Sequence, residues 1–459
     1  MLDPGRVMEK KSYYFFLLPW LKEWGYNALH LHLTDDEGCA LVFPSHPEFA
    51  SIGAFTAEEM RDLIKAGEKH GMEIIPEIES LGHTKFITRD RKYRHLGAGN
   101  GKIDSLNAID PAHPDTRHVL ADLFKDAADI FTSPIIHAGL DEVDFSVLPA
   151  YRSVPKEEHW KIFARHAGWV HELIRKHDKR PAMWGDHILS AKRMADKFKR
   201  DVLIFDWHYD PEFSPESLDF FCKHGFEVWG CPSSICYRSR VVTNATNLAN
   251  LREFTAHALM RRRRGVTGMV NTVWAPWRYL SGAIDWPIAF AGHLFHSEEE
   301  NNGYCKEFCG SFYGLKNDDA ERATDAFTTL YNIAPWSRWY EVMLGVQSRK
   351  DAFTREHRRR CATLIVEARL VTDELKRLLS KAKKNAERLE DVYLSAEFLY
   401  RLGCFGAANQ DKSRLPDGAT LYKKCETSWN RSRYEPWQNI FQRYERLPDH
   451  VLASAKYFV

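Results

Sequence analysis

The chain has 459 residues, 44% of them hydrophobic, enough for one large domain with a sizeable core and a second domain beside it. Its 64 basic and 63 acidic side chains nearly cancel, which removes any electrostatic reason to expect nucleic acid or an anionic membrane as partner. Strand and helix signals alternate from the first residues to about residue 296.

In chain order, Met1-Leu2 reads as the remnant of a first strand, and 10–24 as the first helix. The apolar run 12–20 follows Lys10-Lys11, as a leader would. It lacks a small-residue cleavage site, and Lys22 and Glu23 follow at once, so a barrel helix is the better reading. A chain that opens inside a strand is expected to lack its native first residues. The second strand is 28–33, and Thr56-Ala-Glu-Glu59 is a capping box that opens the next helix. Further strands are read at 73–77, 135–139, 181–184, 202–206, 226–229 and 268–273, with helices from Pro114, at 156–176, at 244–264 and at 286–294. Eight such units predict an α/β fold, a (β/α)8 barrel over residues 1–296. An open doubly wound sheet would need a glycine-rich phosphate turn, and the sequence has no G-x-G-x-x-G.

Beyond residue 296 the strand signals stop. Leu364, Ile365, Ala368, Val371, Leu375 and Leu378 recur at helical spacing, so 297–459 is expected to be a helical C-terminal domain. That tail is a candidate surface for a homo-oligomer. The arginine runs at 261–264 and 358–360 read as solvated helix faces. No stretch is long enough to span a bilayer. The nine cysteines have no regular spacing and read as reduced, which with the missing leader gives a cytoplasmic expectation.

Barrel chemistry sits where strands end at their carboxyl side. Here those positions carry His30-x-His32 with Asp35-Asp36, then Glu77 to His83, His137 to Glu142, Trp184 to His187, Asp206-Trp207-His208, and Trp274 to Trp277. Carboxylates, histidines and tryptophans therefore converge on one rim. Asp141-Glu142 has the clearest physics. Two neighbouring carboxyls resist double ionisation, so one can keep a proton near neutral pH while the other carries charge. That is the pair glycoside cleavage needs. An adjacent Asp-Glu is usually surface charge; at a barrel strand end among tryptophans the catalytic reading is favoured.

Five segments in register then resemble the family 20 glycoside hydrolases, the β-N-acetylhexosaminidases. They are Asp3-Pro-Gly-Arg6, Trp24-Gly-Tyr-Asn27, His30-x-His32-Leu-Thr-Asp35-Asp36, Ile75-Pro-Glu-Ile-Glu79-x-x-Gly82-His83 and His137-Ala-Gly-Leu-Asp-Glu-Val143. The resemblance implies exo-acting hydrolysis of a terminal β-linked amino sugar on a glycoside or oligosaccharide, with neither metal nor cofactor. It implies that the substrate's own acetamido oxygen is the nucleophile. Asp141 would then steer the acetamido nitrogen, and Glu142 would be acid, then base. By the same resemblance Arg6 holds sugar hydroxyls, Tyr237 meets the acetamido oxygen, and Trp184, Trp207 and Trp274 wall the pocket, with Trp277 beside them. Asp35 and His83 are implied polar partners, and His137 a buttress of the strand end.

The sequence also departs from the family. Leu140 stands where a glycine is usual before Asp-Glu, Cys39 replaces an aromatic residue, and Glu79 stands where aspartate is common. Ala275-Pro276 replaces a run that often carries a carboxylate for the sugar's 4-hydroxyl, which leaves the gluco or galacto choice open. Two other classes compete. A metal-dependent amidohydrolase-like barrel would use His30 and His32, on one face of a strand, with His137 and His187. A carbohydrate-binding barrel without turnover would keep the aromatic pocket alone.

Overall fold

A computed structural model describes residues 1–97, 108–148, 151–297, 300–345, 354–408 and 418–434. The short apolar runs become the strands β1 (Ala28–His32), β2 (Glu73–Glu77), β3 (Ile135–His137), β4 (Arg180–Trp184), β5 (Leu203–Trp207), β6 (Glu227–Cys231), β7 (Ser233–Ile235), β8 (Val266–Met269) and β9 (Thr272–Val273). Strands β1-β2-β3-β4-β5-β6-β8 pair in that order, parallel at every step. Leu2 adds a parallel bridge to Leu31, the place read as the first strand.

The sheet is curled, and side-chain contacts show it. β1 and β5 are four strands apart, about 19 Å in a flat sheet. Yet the His30 ring on β1 lies 5.2 Å from the Phe205 ring on β5. It also lies 5.2 Å from the His137 ring and 6.1 Å from Trp184. Inward side chains of β1, β3, β4 and β5 thus meet in one interior layer, as in a (β/α) barrel.

Helices follow the strands on the outside. Lys11–Glu23 is helical, as read for the apolar run, with Pro19 inside it. Ala57–Lys69 opens on the predicted capping box: Thr56 Oγ1 accepts the Glu59 N–H at 3.2 Å and Glu59 Oε2 accepts the Thr56 N–H at 2.8 Å. That exchange satisfies two donors the first turn would otherwise leave unpaired. Pro114–Ile130, His159–Arg175 and Ala245–Leu259 match the remaining periodic stretches. No helix among the described residues is long and apolar enough to cross a membrane.

The chain divides into two compact units. The first is Met1–His208, Phe213–Pro232 and Phe254–Val270, and holds the seven-stranded sheet. The second is Tyr209–Glu212, Ser233–Glu253 and Asn271–Val459, so residues 271–296, given to the barrel by periodicity, fall in it. The stretch read as one strand at 268–273 is two. β8 stays in the large sheet, while β9 pairs with β7, a strand the sequence reading missed. Asn271 explains the break: its Oδ1 accepts from Ser234 N at 3.0 Å and Ser234 Oγ at 2.6 Å, which draws the chain toward β7.

The second unit is mostly helix, from Tyr304–Tyr313 and Asn317–Ile333 through Ala386–Ala407 to Ala419–Ser432. Its buried polar anchors are Arg388, which grips Asp285 through two nitrogens, and Asp391, which accepts the Gly282 N–H at 2.8 Å. Burying such charges is tolerable only because each is paired.

Candidate active site

In the first unit a buried glutamate anchors the interior. Glu77, at the end of β2, is fully buried. Its Oε1 accepts the Trp184 Nε1–H at 2.6 Å and lies 3.3 Å from His137 Nδ1. Its Oε2 lies 2.9 Å from His32 Nδ1 and 3.2 Å from His30 Nε2. Burial opposes a charge on His32, but Glu77 and Asp35 more than offset that and raise it to about 10. His30 goes the other way: burial outweighs Glu77 and lowers it to about 4. His32 is therefore an imidazolium beside a neutral His30.

From His32 the charges step up to the rim. His32 Nε2 is 2.9 Å from Asp35 Oδ2, and that oxygen also meets Arg6 Nη2 at 2.9 Å. Arg6 Nη1 pairs with Asp3 at 2.9 Å. Burial would raise Asp35, but Arg6 and His32 pull its carboxyl well below the usual range. His83 Nδ1 faces Asp36 at 3.3 Å and Asp35 at 3.8 Å. Its Nε2 faces Glu142 Oε2 at 3.4 Å and Asp141 Oδ2 at 3.8 Å. His83 is the one imidazole between four carboxyls. Burial opposes its charge, yet Asp141 and Asp36 raise it well above the ordinary histidine value.

The two carboxyls of the pair are unlike. Asp141 is 8% exposed, and burial pushes it up to about 7 although His83 opposes the rise. The Glu142 side chain is 58% exposed, and its hydrogen bond with His83 holds it below the ordinary value against the effect of burial. Beneath them Glu79, fully buried, is raised well above its ordinary value by burial and by Asp141. Before any substrate is bound, then, Asp141 and Glu79 hold a proton more readily than Glu142 does.

The backbone is bent hard to achieve this. Gly139, Leu140 and Glu142 have φ of +64°, +73° and +49°, and His83 has +48°. A Cβ on Gly139 would come within 2.0 Å of Glu79 Oε2, so only glycine fits there. A Cβ on Gly82 would come within 2.5 Å of the Asp141 carbonyl oxygen, so Gly82 is what lets the His83 loop approach the pair. Glu142 N–H donates to Asp186 Oδ2 at 3.1 Å and Val143 N–H to His187 Nε2 at 2.9 Å. Left-handed backbone at non-glycine residues costs free energy and is concentrated at functional sites. Leu140 occupies one such position, where the resemblance led to the expectation of a glycine.

The structure thus brings Arg6, Asp35, His83, Asp141 and Glu142 into one run of contacts. His137 lies a layer below, on Glu77. Trp184, expected from the resemblance on the pocket wall, is fully buried and donates to Glu77. Trp207 ends β5, half-buried. Tyr237, Trp274 and Trp277 belong to the second unit. There Tyr237 is 50% exposed, Trp274 Nε1 donates to Tyr209 Oη at 2.7 Å, and Trp277 is buried.

Sequence reading gave no role to Glu77, Asp3 or Asp186, and gave His32 one only as a metal ligand. The Asp3–Arg6 spacing and the inward parity of His30 and His32 were the available signals. For the metal reading, His30, Glu77 and His137 do bring one ligand atom each within 4.8 Å of one another. They are 3% exposed or less, below the rim, and His187 is elsewhere, on the Val143 N–H.

A curled parallel sheet with a buried and a half-exposed carboxyl side by side at its rim is the arrangement of barrels that work through paired carboxyl groups. The chain belongs to glycosyl hydrolase family 20: residues 1–262 match the model of its catalytic domain. It is 26% identical over 275 residues to a β-hexosaminidase of Vibrio furnissii, covering 52% of this chain and 43% of that one. It is 29% identical over 274 residues to a β-hexosaminidase of Akkermansia muciniphila, covering 52% of each. The chain therefore spans about half the length of the curated relatives it matches.

Among solved structures, the exo β-N-acetylglucosaminidase of Vibrio harveyi in complex with N-acetylglucosamine shares its fold. That match has a TM-score of 0.53 at 23% identity over 66% of this chain and 55% of that one. The chitobiase of Flavobacterium johnsoniae matches at 0.55 and 16% identity, covering 100% of this chain and 77% of that one.

Proposed function

We propose that the protein is an exo-acting β-N-acetylhexosaminidase, removing terminal β-linked GlcNAc or GalNAc from a glycoside or oligosaccharide by substrate-assisted retaining catalysis. The observation that carries this reading is the placement of His83 between Asp141 and Glu142, with Asp35 and Arg6 behind it. The substrate's acetamido oxygen attacks the anomeric carbon. Asp141, ionised on binding, accepts the acetamido N–H and balances the charge of the oxazolinium-like intermediate. Glu142 takes up on binding the proton that Asp141 gives up, delivers it to the departing oxygen, and later takes one from the incoming water. Arg6, fixed by Asp3 and Asp35, is placed to hold sugar hydroxyls. Trp207, at the end of β5, remains a proposed aromatic contact.

The test is a paired assay of the nitrophenyl β-glycosides of GlcNAc and GalNAc, with a poor-leaving-group alkyl glycoside beside them. Glu142→Gln should lose about 10²–10⁴-fold in kcat on the alkyl glycoside and less on the nitrophenyl ones, because only the former needs protonation. Asp141→Asn should lose about 10²–10³-fold on all of them. Wild-type rates in both variants would end this reading. Sugar binding without turnover by the wild type would leave the carbohydrate-binding alternative in its place.

A further inference from the structure

Glu142 is the exposed member of the carboxyl pair, with His83 Nε2 at 3.4 Å from its Oε2. Ordering so exposed a glutamate costs rotamer entropy, so whatever fixes its root matters. Two peptide planes flank its Cα, and each is held by a residue just beyond β4. The Glu142 N–H, in the plane before it, donates to Asp186 Oδ2 at 3.1 Å. The Val143 N–H, in the plane after it, donates to His187 Nε2 at 2.9 Å. Peptide planes turn only about φ and ψ, so holding both planes holds both angles of Glu142 and the direction of its Cα–Cβ bond. The φ held there is +49°, a left-handed value that persists in a glutamate only where its surroundings impose it. Asp186 and His187 open the short helix Asp186–Ser190 and are anchored in turn. The His187 ring stacks on the buried Phe163 ring at 4.5 Å, and its Nε2 lies 3.8 Å from Asp186 Oδ2. An imidazole nitrogen accepts only while it is unprotonated, and burial lowers His187 toward that form although Asp186 opposes it.

We propose that Asp186 and His187 are positioning residues for the general acid: they lock the two peptide planes on either side of Glu142 and so aim its carboxyl at the departing oxygen. The inference rests on the function proposed above. Neither residue exchanges a proton in this role; each supplies an accepting atom in the right place. Without those atoms the root of Glu142 swings, and a misplacement of about 1 Å can cost about 10²-fold in rate. The loss falls on the step that needs the proton delivered. A good leaving group departs without that proton and is spared.

The experiment compares kcat/KM for the methyl and the 4-nitrophenyl β-glycosides of GlcNAc and GalNAc. The first variant is Asp186→Ala/His187→Phe, in which the phenylalanine keeps the stack on Phe163 but has no acceptor. It should lose about 10²-fold on the methyl glycoside and less than about 5-fold on the nitrophenyl one. The ratio of the two rates on one preparation does not depend on how much of the enzyme is folded, so poor folding alone leaves it unchanged. The second variant, Asp186→Asn/His187→Gln, restores both accepting atoms and should recover about 10-fold of the lost methyl-glycoside rate. An unchanged ratio in the first variant overturns the proposal, and so does a second variant no faster than the first. A wild type that turns over none of these glycosides ends the hydrolase reading and this inference with it. A wild type that turns them over, beside a first variant with the wild-type ratio, leaves that reading standing and removes this inference alone.

Discussion

Two layers of the same barrel contain the same kinds of residue and behave differently. The interior layer around Glu77 is built on regular parallel strands, and its members are 3% exposed or less. The rim layer around His83 is built on left-handed backbone at His83, Leu140 and Glu142, and ends in a half-exposed glutamate. Below, one carboxylate, Glu77, faces three imidazoles and an indole N–H on regular strands. Above, one imidazole is shared by four carboxyls, so small changes move protons. A buried ionic layer holds shape, and a strained, partly solvated one does chemistry.

The largest effect should come from breaking the lower layer. Glu77→Gln leaves the Trp184 N–H a partner but strips the buried His32 of its main counter-charge. The expected loss is about 3–5 kcal/mol of stability, seen as a lower urea midpoint with an unchanged slope. Glu142→Gln, at the solvated rim, should stay within about 0.5 kcal/mol of wild type. Equal costs for the two would erase the distinction between the layers. The sign of the pH dependence also follows. His32 is raised in the fold from 6.5 to about 10, so its contribution is complete below its unfolded value and is lost as pH rises through about 10. Thermal midpoints should decline on that alkaline side, and His32→Asn should flatten the decline.

A smaller effect, on activity rather than stability, belongs to His83. Its charge opposes the rise of Asp141 and holds Glu142 down. Removing it in His83→Ala should cost about 10²-fold in kcat/KM. In the proposed mechanism Asp141 is ionised to accept the acetamido N–H, so the acid limb of the wild-type kcat/KM profile should lie near its value of about 7. In His83→Ala that limb should move to higher pH. A limb that stays in place would mean that His83 holds the loop without tuning its protons.

Much of the lower layer was legible in the sequence because buried parallel strands read as short apolar runs between helical periods. The span 73–77 was read with the boundaries β2 has, and the Thr56 capping box was read from four residues. What the pattern could not show was depth. Inward residues of one strand share a face whether they lie in the floor or at the mouth, so the pattern did not show that Trp184 packs against Glu77 and His137. Depth is set by register between strands, which a single strand's sequence does not carry. The carboxylate pair was legible from its neighbours, but the protonation of each member was not. Asp141 rises because it is 8% exposed and Glu142 falls because its half-exposed side chain reaches His83.

The finest probe of the rim is Leu140. At φ +73° a leucine carries strain of about 1–2 kcal/mol that glycine would not. Yet Leu140 is fully buried, and burying a leucine side chain is worth about 1.5–3 kcal/mol. Burial is at least as large as strain, which is why a leucine is tolerated here. Both Leu140→Ala and Leu140→Gly should therefore destabilise, since both empty the same space. Their order is diagnostic. Alanine keeps the left-handed penalty and glycine removes it, so the glycine variant should be the more stable by about 1 kcal/mol, against the usual preference for alanine. If alanine proves the more stable, the turn before Asp141 is not strained in solution. The rim would then differ from the layer beneath it in exposure alone.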